Sequence, residues 1–366
     1  MLKKFFLIQT IVFICLDNIV QTVKVCKTKK KNVDKWFPSN PEKQNLNADS
    51  SSHSYILENE SNVIDRLDDT TNEQNSGKQY EENEHCGLKN LGLTCYANSL
   101  LQSLFHIKRF RDKINEFEKG EMMLSLKKLF QEMQKNKIYE PKDLLDHIIK
   151  DFYTFEDINE FHLQFFDKLM ENKEEATKIS ELDNLITGTT KETTKNEEGE
   201  SIERRDDFKN IFLPTSKIDG TFIDNLEESL AQEFSKDGTV KKEIEKAPEI
   251  LFLLINRFVC KENYTIEKYD GLFKFSKEID ISPYCVDKTI ENTYKLHSVI
   301  VHLGYSTWGH YFCNILIDGK WYLFNDDKMG VIEENDAIEE QFGCSTENPN
   351  EMKKYSAYYL VYVKKN

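Results

Sequence analysis

Cys95 is the residue of this chain best placed for covalent chemistry. It stands in GLKNLGLTCYANSLLQ (residues 87–102), where a loop hands over to a helix. From residue 95 to 105, Leu100, Leu101, Leu104 and Phe105 recur at helical spacing, so the sulfur falls near the positive end of a helix. Backbone N–H groups without intrahelical partners favour a thiolate there. A nucleophilic cysteine also needs an imidazole, and nothing local supplies one, so it must come from far along the chain. Residues 294–327, YKLHSVIVHLGYSTWGHYFCNILIDGKWYLFNDD, contain it. His310 follows a short loop bracketed by Gly304 and Gly309 and opens an apolar run, 311–317, that predicts a strand. Asp318-Gly319 is a hairpin turn, and residues 321–324 return antiparallel, bringing Asn325 and Asp326 beside the start of the first strand. A side-chain oxygen of Asn325 can then hold the second ring nitrogen of His310. This is a Cys-His-Asn arrangement: nucleophile, base and then acid, and an amide that fixes the tautomer.

Other segments must position these groups. Helices are expected over 122–133, with Met122, Leu126, Leu129, Phe130 and Met133 on one face, and from Pro141 onward, with Leu144, Leu145, Ile148 and Ile149 inward. A third, 155–170, buries Ile158, Phe161, Phe165, Phe166 and Leu169. Strands are expected over 250–258, 294–302, 310–318, 321–325 and 357–363. The class is α+β, with the nucleophile in a helical half, the base in an antiparallel half, and catalysis in the cleft between them.

Both motifs together resemble the ubiquitin-specific proteases, the thiol-dependent ubiquitin carboxyl-terminal hydrolases. The pattern G-L-x-N-x-G-x-T-C-Y-x-N-S-x-L-Q is matched by Gly87, Leu88, Asn90, Gly92, Thr94, Cys95, Tyr96, Asn98, Ser99, Leu101 and Gln102. A later pattern is matched by Tyr294, Leu296, Val299, Val301, His302, Gly304, Gly309, His310, Tyr311, Trp321, Phe324, Asn325 and Asp326. Weaker similarities lie in FEDINEF (155–161), ILFLLINRF (250–258) and FKF (273–275). Within the family the chain resembles the herpesvirus-associated type, through SIERRDDFKNIFL, NLEESLAQEF and DAIEEQFG.

The resemblance implies a papain-like fold with a helical thumb (about 87–170), β fingers (about 171–249) and an antiparallel β palm (about 250–365). It implies hydrolysis of the thiol-, ester- or (iso)peptide-linked C-terminal glycine of ubiquitin. Cys95 would attack, Asn90 would help bind the oxyanion, His310 would protonate the leaving amine, and Asn325, or Asp326 in its place, would orient the ring. Asp157 and Glu160, three apart on one helix, would engage the basic tail of ubiquitin, Leu-Arg-Leu-Arg-Gly-Gly. Tyr96, Phe273 and Tyr311 would crowd a channel that passes only Gly-Gly. The loop 304–309 would gate it, with Trp308 closing on the tail or capping the palm. Taken without the resemblance, Asn90 is a turn residue. The alternatives are a papain-like protease acting on a ubiquitin-like modifier or of broad specificity, and a non-catalytic ubiquitin-binding module.

Composition narrows the partners. A chain of 366 residues with 39% hydrophobic content can bury a large core, and a net charge of -15 argues against nucleic acid and for a basic partner, although much of the acidity lies in polar inserts. The cysteines stand at 15, 26, 86, 95, 260, 285, 313 and 344, with no C-x-x-C pair. That is neither a disulfide framework nor a zinc site, and 171–249 has no cysteine, so zinc-free fingers and no metal or other cofactor are expected. His302 alternates with inward valines and reads as structural, while His85, His106, His147 and His162 are scattered and carry no assigned chemistry. Lys3 and Lys4 precede FFLIQTIVFICL (5–16), too short for the ~20 residues of a membrane span but suited to a signal peptide. Residues 1–25 are therefore expected to be a secretory signal or an anchor, 26–84 a disordered polar linker, and 85–366 the catalytic domain. The stretch 171–206 reads as an insertion or a mobile hairpin of the fingers.

Overall fold

The structure is a computed structural model, and it describes residues 85–196, 199–217, 219–234, 240–260, 266–306, 308–344 and 355–365. The signal or anchor segment and the linker expected over 1–84 lie outside the described residues.

The short strand β1 (Gly87–Leu88) leads into helix α1 (Cys95–Phe105), and α2 (Lys108–Asn115) and α3 (Glu121–Met133) follow. Strand β2 (Ile138–Tyr139) pairs with β1 in parallel. Then come the single turn α4 (Lys142–Leu145), α5 (Ile158–Met170) and α6 (Ala176–Ile186). All 11 residues of α1 are buried, polar Asn98, Ser99, Gln102 and Ser103 included, so it is a central helix. Asn98, Gln102 and Ser103 find partners inside the protein: Asn98 Nδ2 donates to Asp326 Oδ1, Gln102 Nε2 to the Cys86 carbonyl and Ser103 Oγ to the Ser99 carbonyl. The helix expected after Pro141 stops at Leu145 and continues through Ile149 as hydrogen-bonded turns. α5 starts at Asp157, which caps it by accepting the Asn159 N–H at 2.8 Å. α6 occupies part of the stretch read as an insertion or hairpin; Leu182 and Ile186 are fully buried in the core it shares with α1 to α5.

Next, β3 (Gly188–Lys195) and β4 (Ser201–Phe208) form a hairpin. β5 (Ile211–Pro214), α7 (Leu226–Glu233), β6 (Val240–Lys246) and β7 (Ile250–Asn256) follow. The hairpin and β6 make a separate three-stranded sheet in the order β4-β3-β6. Its edge strand β4 is almost wholly exposed and carries Glu203, Arg204, Arg205, Asp206 and Asp207, charges that discourage pairing with another chain. Two small strands, β8 (Phe258–Cys260) and β9 (Ile266–Lys268), pair with each other. β10 (Glu278–Asp280), β11 (Thr293–Gly304), β12 (Gly309–Ile317), β13 (Lys320–Asn325), β14 (Lys328–Ile332), the short helix α8 (Glu334–Ala337) and β15 (Tyr355–Lys364) complete the chain.

The main sheet runs β14-β13-β12-β11-β15-β7-β5, with β10 beside β11. The pairs are antiparallel except β5 with β7, so the expected antiparallel half has one parallel edge. Both faces are buried. Ile250, Phe252 and Leu254 of β7 pack toward the helices, while Leu251, Leu253 and Ile255 pack into a second core on the far side. Two-sided burial is why this strand reads as an unbroken apolar run.

Candidate active site

Cys95 is the first residue of α1 and only 2% exposed. The loop ahead of it is held by Asn90, whose Oδ1 accepts the N–H of Gly92 at 3.1 Å and of Thr94 at 3.0 Å. Gly92 has φ +132°, and a Cβ there would lie 2.7 Å from the Phe152 carbonyl oxygen, so only glycine lets the loop pass. The N–H of Tyr311 donates to Cys95 Sγ at 3.4 Å, which sets the opening of β12 directly on the nucleophile. Burial pushes the thiols of Cys86 and Cys285 up to about 11 and that of Cys313 higher still, which keeps them protonated at neutral pH.

His310, the second residue of β12, is buried, and its Nε2–H donates to Asn325 Oδ1 at 2.6 Å. In a neutral ring this leaves the lone pair on Nδ1, the state required of a base. The turn that returns Asn325 has Asp318 at φ 48° and Gly319 at φ 83°, joining β12 to β13 with two residues.

The Asp326 carboxylate is engaged by two asparagine amides. The residue sits in a left-handed turn at φ 54°, where Oδ2 accepts from Asn90 Nδ2 and Oδ1 from Asn98 Nδ2, each at 2.8 Å. Its carbonyl takes the Leu88 N–H at 2.8 Å. Asp326 therefore ties the loop before Cys95, the first turn of α1 and the end of β13 into one unit. Asn98 was legible only as part of the motif; its burial among polar partners is what reveals its role.

Asp157 and Glu160 face different surroundings. The Asp157 carboxylate is turned inward, where Oδ2 accepts the hydroxyls of Tyr358 at 2.8 Å and Tyr311 at 3.2 Å, while Glu160 is exposed on the first turn of α5. Burial raises the pKa of Asp157, against the opposing pull of its bonds to Tyr358, the Asn159 N–H and Tyr311. Tyr358 reaches it because β15 carries an extra residue opposite the Ile300/Val301 step of β11, which turns Tyr358 and Tyr359 toward the same core. Strand alternation alone hides such a residue.

The aromatic channel also needs correction. Tyr311 stacks on Phe155 at 5.9 Å and lies beside the nucleophile. Tyr96 is fully enclosed, edge-on to Phe161 at 5.4 Å. Phe273 is also fully buried, but in the core on the far side of the sheet from Cys95, so it lines no passage to the sulfur. Between Gly304 and Gly309, Trp308 packs on Tyr305 of its own loop at 4.9 Å, and Ser306 Oγ donates to the Ile266 carbonyl at 2.9 Å. A Cβ on Gly309 would stand 2.2 Å from His302 Nε2. His302 is buried against Phe155, Tyr311 and Tyr358. Among the described residues no group of three or more His, Cys, Asp or Glu could hold a metal ion.

A cysteine on a buried helix start, a histidine on a facing strand and an amide on the next strand define the papain-like class of cysteine hydrolase. The family described as ubiquitin carboxyl-terminal hydrolase matches residues 86–362, and the chain belongs to it. It is 29% identical to "Ubiquitin carboxyl-terminal hydrolase 15" of Saccharomyces cerevisiae, over 76% of this chain and 27% of that protein. It is 30% identical to "Ubiquitin carboxyl-terminal hydrolase 7" of Drosophila melanogaster, over 77% and 28%, and 27% identical to "Ubiquitin C-terminal hydrolase 13" of Arabidopsis thaliana, over 78% and 30%. The matched region thus spans under a third of the length of these curated relatives.

Proposed function

We propose that this chain is a cysteine-type deubiquitinase that cleaves the bond after the C-terminal glycine of ubiquitin. The observation that carries the reading is the Tyr311 N–H donating to Cys95 Sγ at the start of α1, with the adjacent His310 held by Asn325. His310 takes the thiol proton, Cys95 attacks the carbonyl, and the amide of Asn90 with nearby backbone N–H groups holds the oxyanion. His310 then protonates the departing amine, and water releases the acyl-enzyme. Exposed Glu160 is the carboxylate available to a basic tail, while Asp157 shapes the wall through Tyr311 and Tyr358. Family membership and the names of the relatives support the ubiquitin reading. The three segments SIERRDDFKNIFL, NLEESLAQEF and DAIEEQFG support a herpesvirus-associated type within the family.

The test is hydrolysis of a fluorogenic ubiquitin C-terminal amide. Turnover should be lost in Cys95→Ala and fall at least a thousandfold in His310→Ala, with ubiquitin binding retained in both. Substantial turnover by Cys95→Ala would refute the assignment. A secretory route for the chain is a separate proposal, motivated by Lys3-Lys4 and the apolar run 5–16. It fails if a reporter fused to residues 1–22 stays in the cytosol.

A further inference from the structure

The far end of the nucleophile helix is fastened to the main sheet by a polar clamp. The Gln102 and Leu104 carbonyls near the end of α1 take the N–H groups of His106 and Ile107, and the Phe105 carbonyl takes the Arg111 guanidinium. The Ser103 carbonyl takes its proton from the sheet: His297 Nε2 of β11 lies 3.0 Å away. The adjacent residue of β11, Ser298, donates its hydroxyl to Ser103 Oγ at 3.0 Å, and Ser103 Oγ donates in turn to the Ser99 carbonyl at 2.9 Å. Ser103 and Ser298 are fully buried, and His297 is buried with them.

Two consecutive strand residues do not ordinarily face the same way. Here β11 breaks its own alternation. Tyr294 and Leu296 pack into the far core, but beyond the break Val299 and Val301 do. The parity changes because β11 holds an extra residue: Leu296 pairs with Tyr362 and Ser298 with Val361, leaving His297 as a bulge. His297 and Ser298 thereby both turn toward α1. A bulge that re-aims two polar side chains onto one helix is a built feature.

We infer that His297 and Ser298 are positioning residues for the proposed reaction, setting the register of α1 on the sheet so that Cys95 meets His310. Apolar packing alone leaves a helix free to settle at neighbouring depths, whereas a buried donor must sit at its acceptor. Ser103 lies eight residues from Cys95 on the same rigid helix, about 12 Å along its axis. β11 carries the other half of the linkage, because Leu303 pairs with His310. Helix and base are thus referenced to one strand, and a shift near 1 Å at the sulfur can cost about a hundredfold in rate.

The inference rests on the deubiquitinase reading, so its test has a readout independent of ubiquitin. His297→Leu and Ser298→Ala remove the two donors, while His297→Gln keeps an amide N–H near the position of Nε2. Active sites are counted with a ubiquitin bearing a C-terminal electrophile, and Cys95 alkylation by iodoacetamide is followed by peptide mass mapping. In His297→Leu and Ser298→Ala, kcat per titrated site should fall at least tenfold with KM within twofold, and Cys95 alkylation at pH 7 should slow by a similar factor. His297→Gln should recover most of both. A purely structural role would lower melting temperature and the number of active sites but leave kcat per site and alkylation rate unchanged, and that result would overturn the inference. Wild-type protein that alkylates normally but does not turn over ubiquitin would overturn the deubiquitinase reading, with alkylation of the variants still deciding the clamp.

Discussion

His310 receives its orientation from a neutral amide, and that choice sets how tightly its charged form is held. Asn325 Oδ1 accepts from Nε2 and presents a dipole there, but no negative charge. Asn325→Asp should therefore raise the pKa of His310 and move the pH–rate profile of ubiquitin-amide hydrolysis upward. Asn325→Ala should cost at least a hundredfold in kcat, because the Asp326 carboxylate is already engaged by Asn90 and Asn98. An Asn325→Ala enzyme near wild-type rate would show that another group orients the ring. The places of Cys95, His310 and Asn325 in the fold were legible from residue type and spacing, since a helix start and a two-residue hairpin fix where they stand. Phe273 was not, because nothing local tells which face of a doubly covered sheet a neighbouring aromatic joins. The inward turn of Asp157 was hidden for a related reason: its partners come from β12 and β15, far away in sequence.

Among the elements, the five strands expected from the sequence, β7, β11, β12, β13 and β15, follow their expected bounds within about two residues, since runs of apolar β-branched and aromatic residues between turn signals have few other solutions, whereas β5, β10 and β14 of the same sheet were not expected. α6 was missed. Its apolar residues Ile179, Leu182, Leu185 and Ile186 keep helical spacing, but the polar stretch around them drowned the signal. The structure makes this helix part of the core, and Leu182 is the measure of that. Leu182→Ala should destabilise the domain by about 2–5 kcal/mol in urea titration. A loss under about 1 kcal/mol would mean that α6 packs loosely and contributes little. The two bulges, in β11 and β15, escape sequence reading altogether, because a bulge is defined by its partner strand.

Across the whole molecule, several buried histidines couple stability to pH. Burial lowers the pKa of His162 to about 3 and of His297 to about 4, and puts those of His106 and His302 well below the usual value. For His106 the neighbouring His85, His297 and Arg111 add to the effect, and for His302 Lys268 and His310 do. A histidine kept neutral by the fold takes up its proton first in the unfolded chain. Its contribution is therefore complete above the unfolded value of about 6.5 and is lost as pH falls from there toward 4, at about 1.4 kcal/mol per pH unit for each group. Asp157, with its raised pKa, works in the opposite direction. Between pH 7.5 and 5.5 the unfolding free energy should drop, with His162 and His297 alone contributing on the order of 3 kcal/mol, a large share of a typical domain's stability. Equal urea midpoints at the two pH values would contradict neutral burial of these rings.

The central claim is that Cys95 is the nucleophile toward the ubiquitin C-terminus, and a covalent adduct tests it most directly. Ubiquitin carrying a C-terminal electrophile should form one adduct per chain, with peptide mapping placing the new bond on Cys95, and His310→Ala should form it far more slowly. No adduct, or one carried by Cys86, Cys313 or another cysteine, would contradict the account.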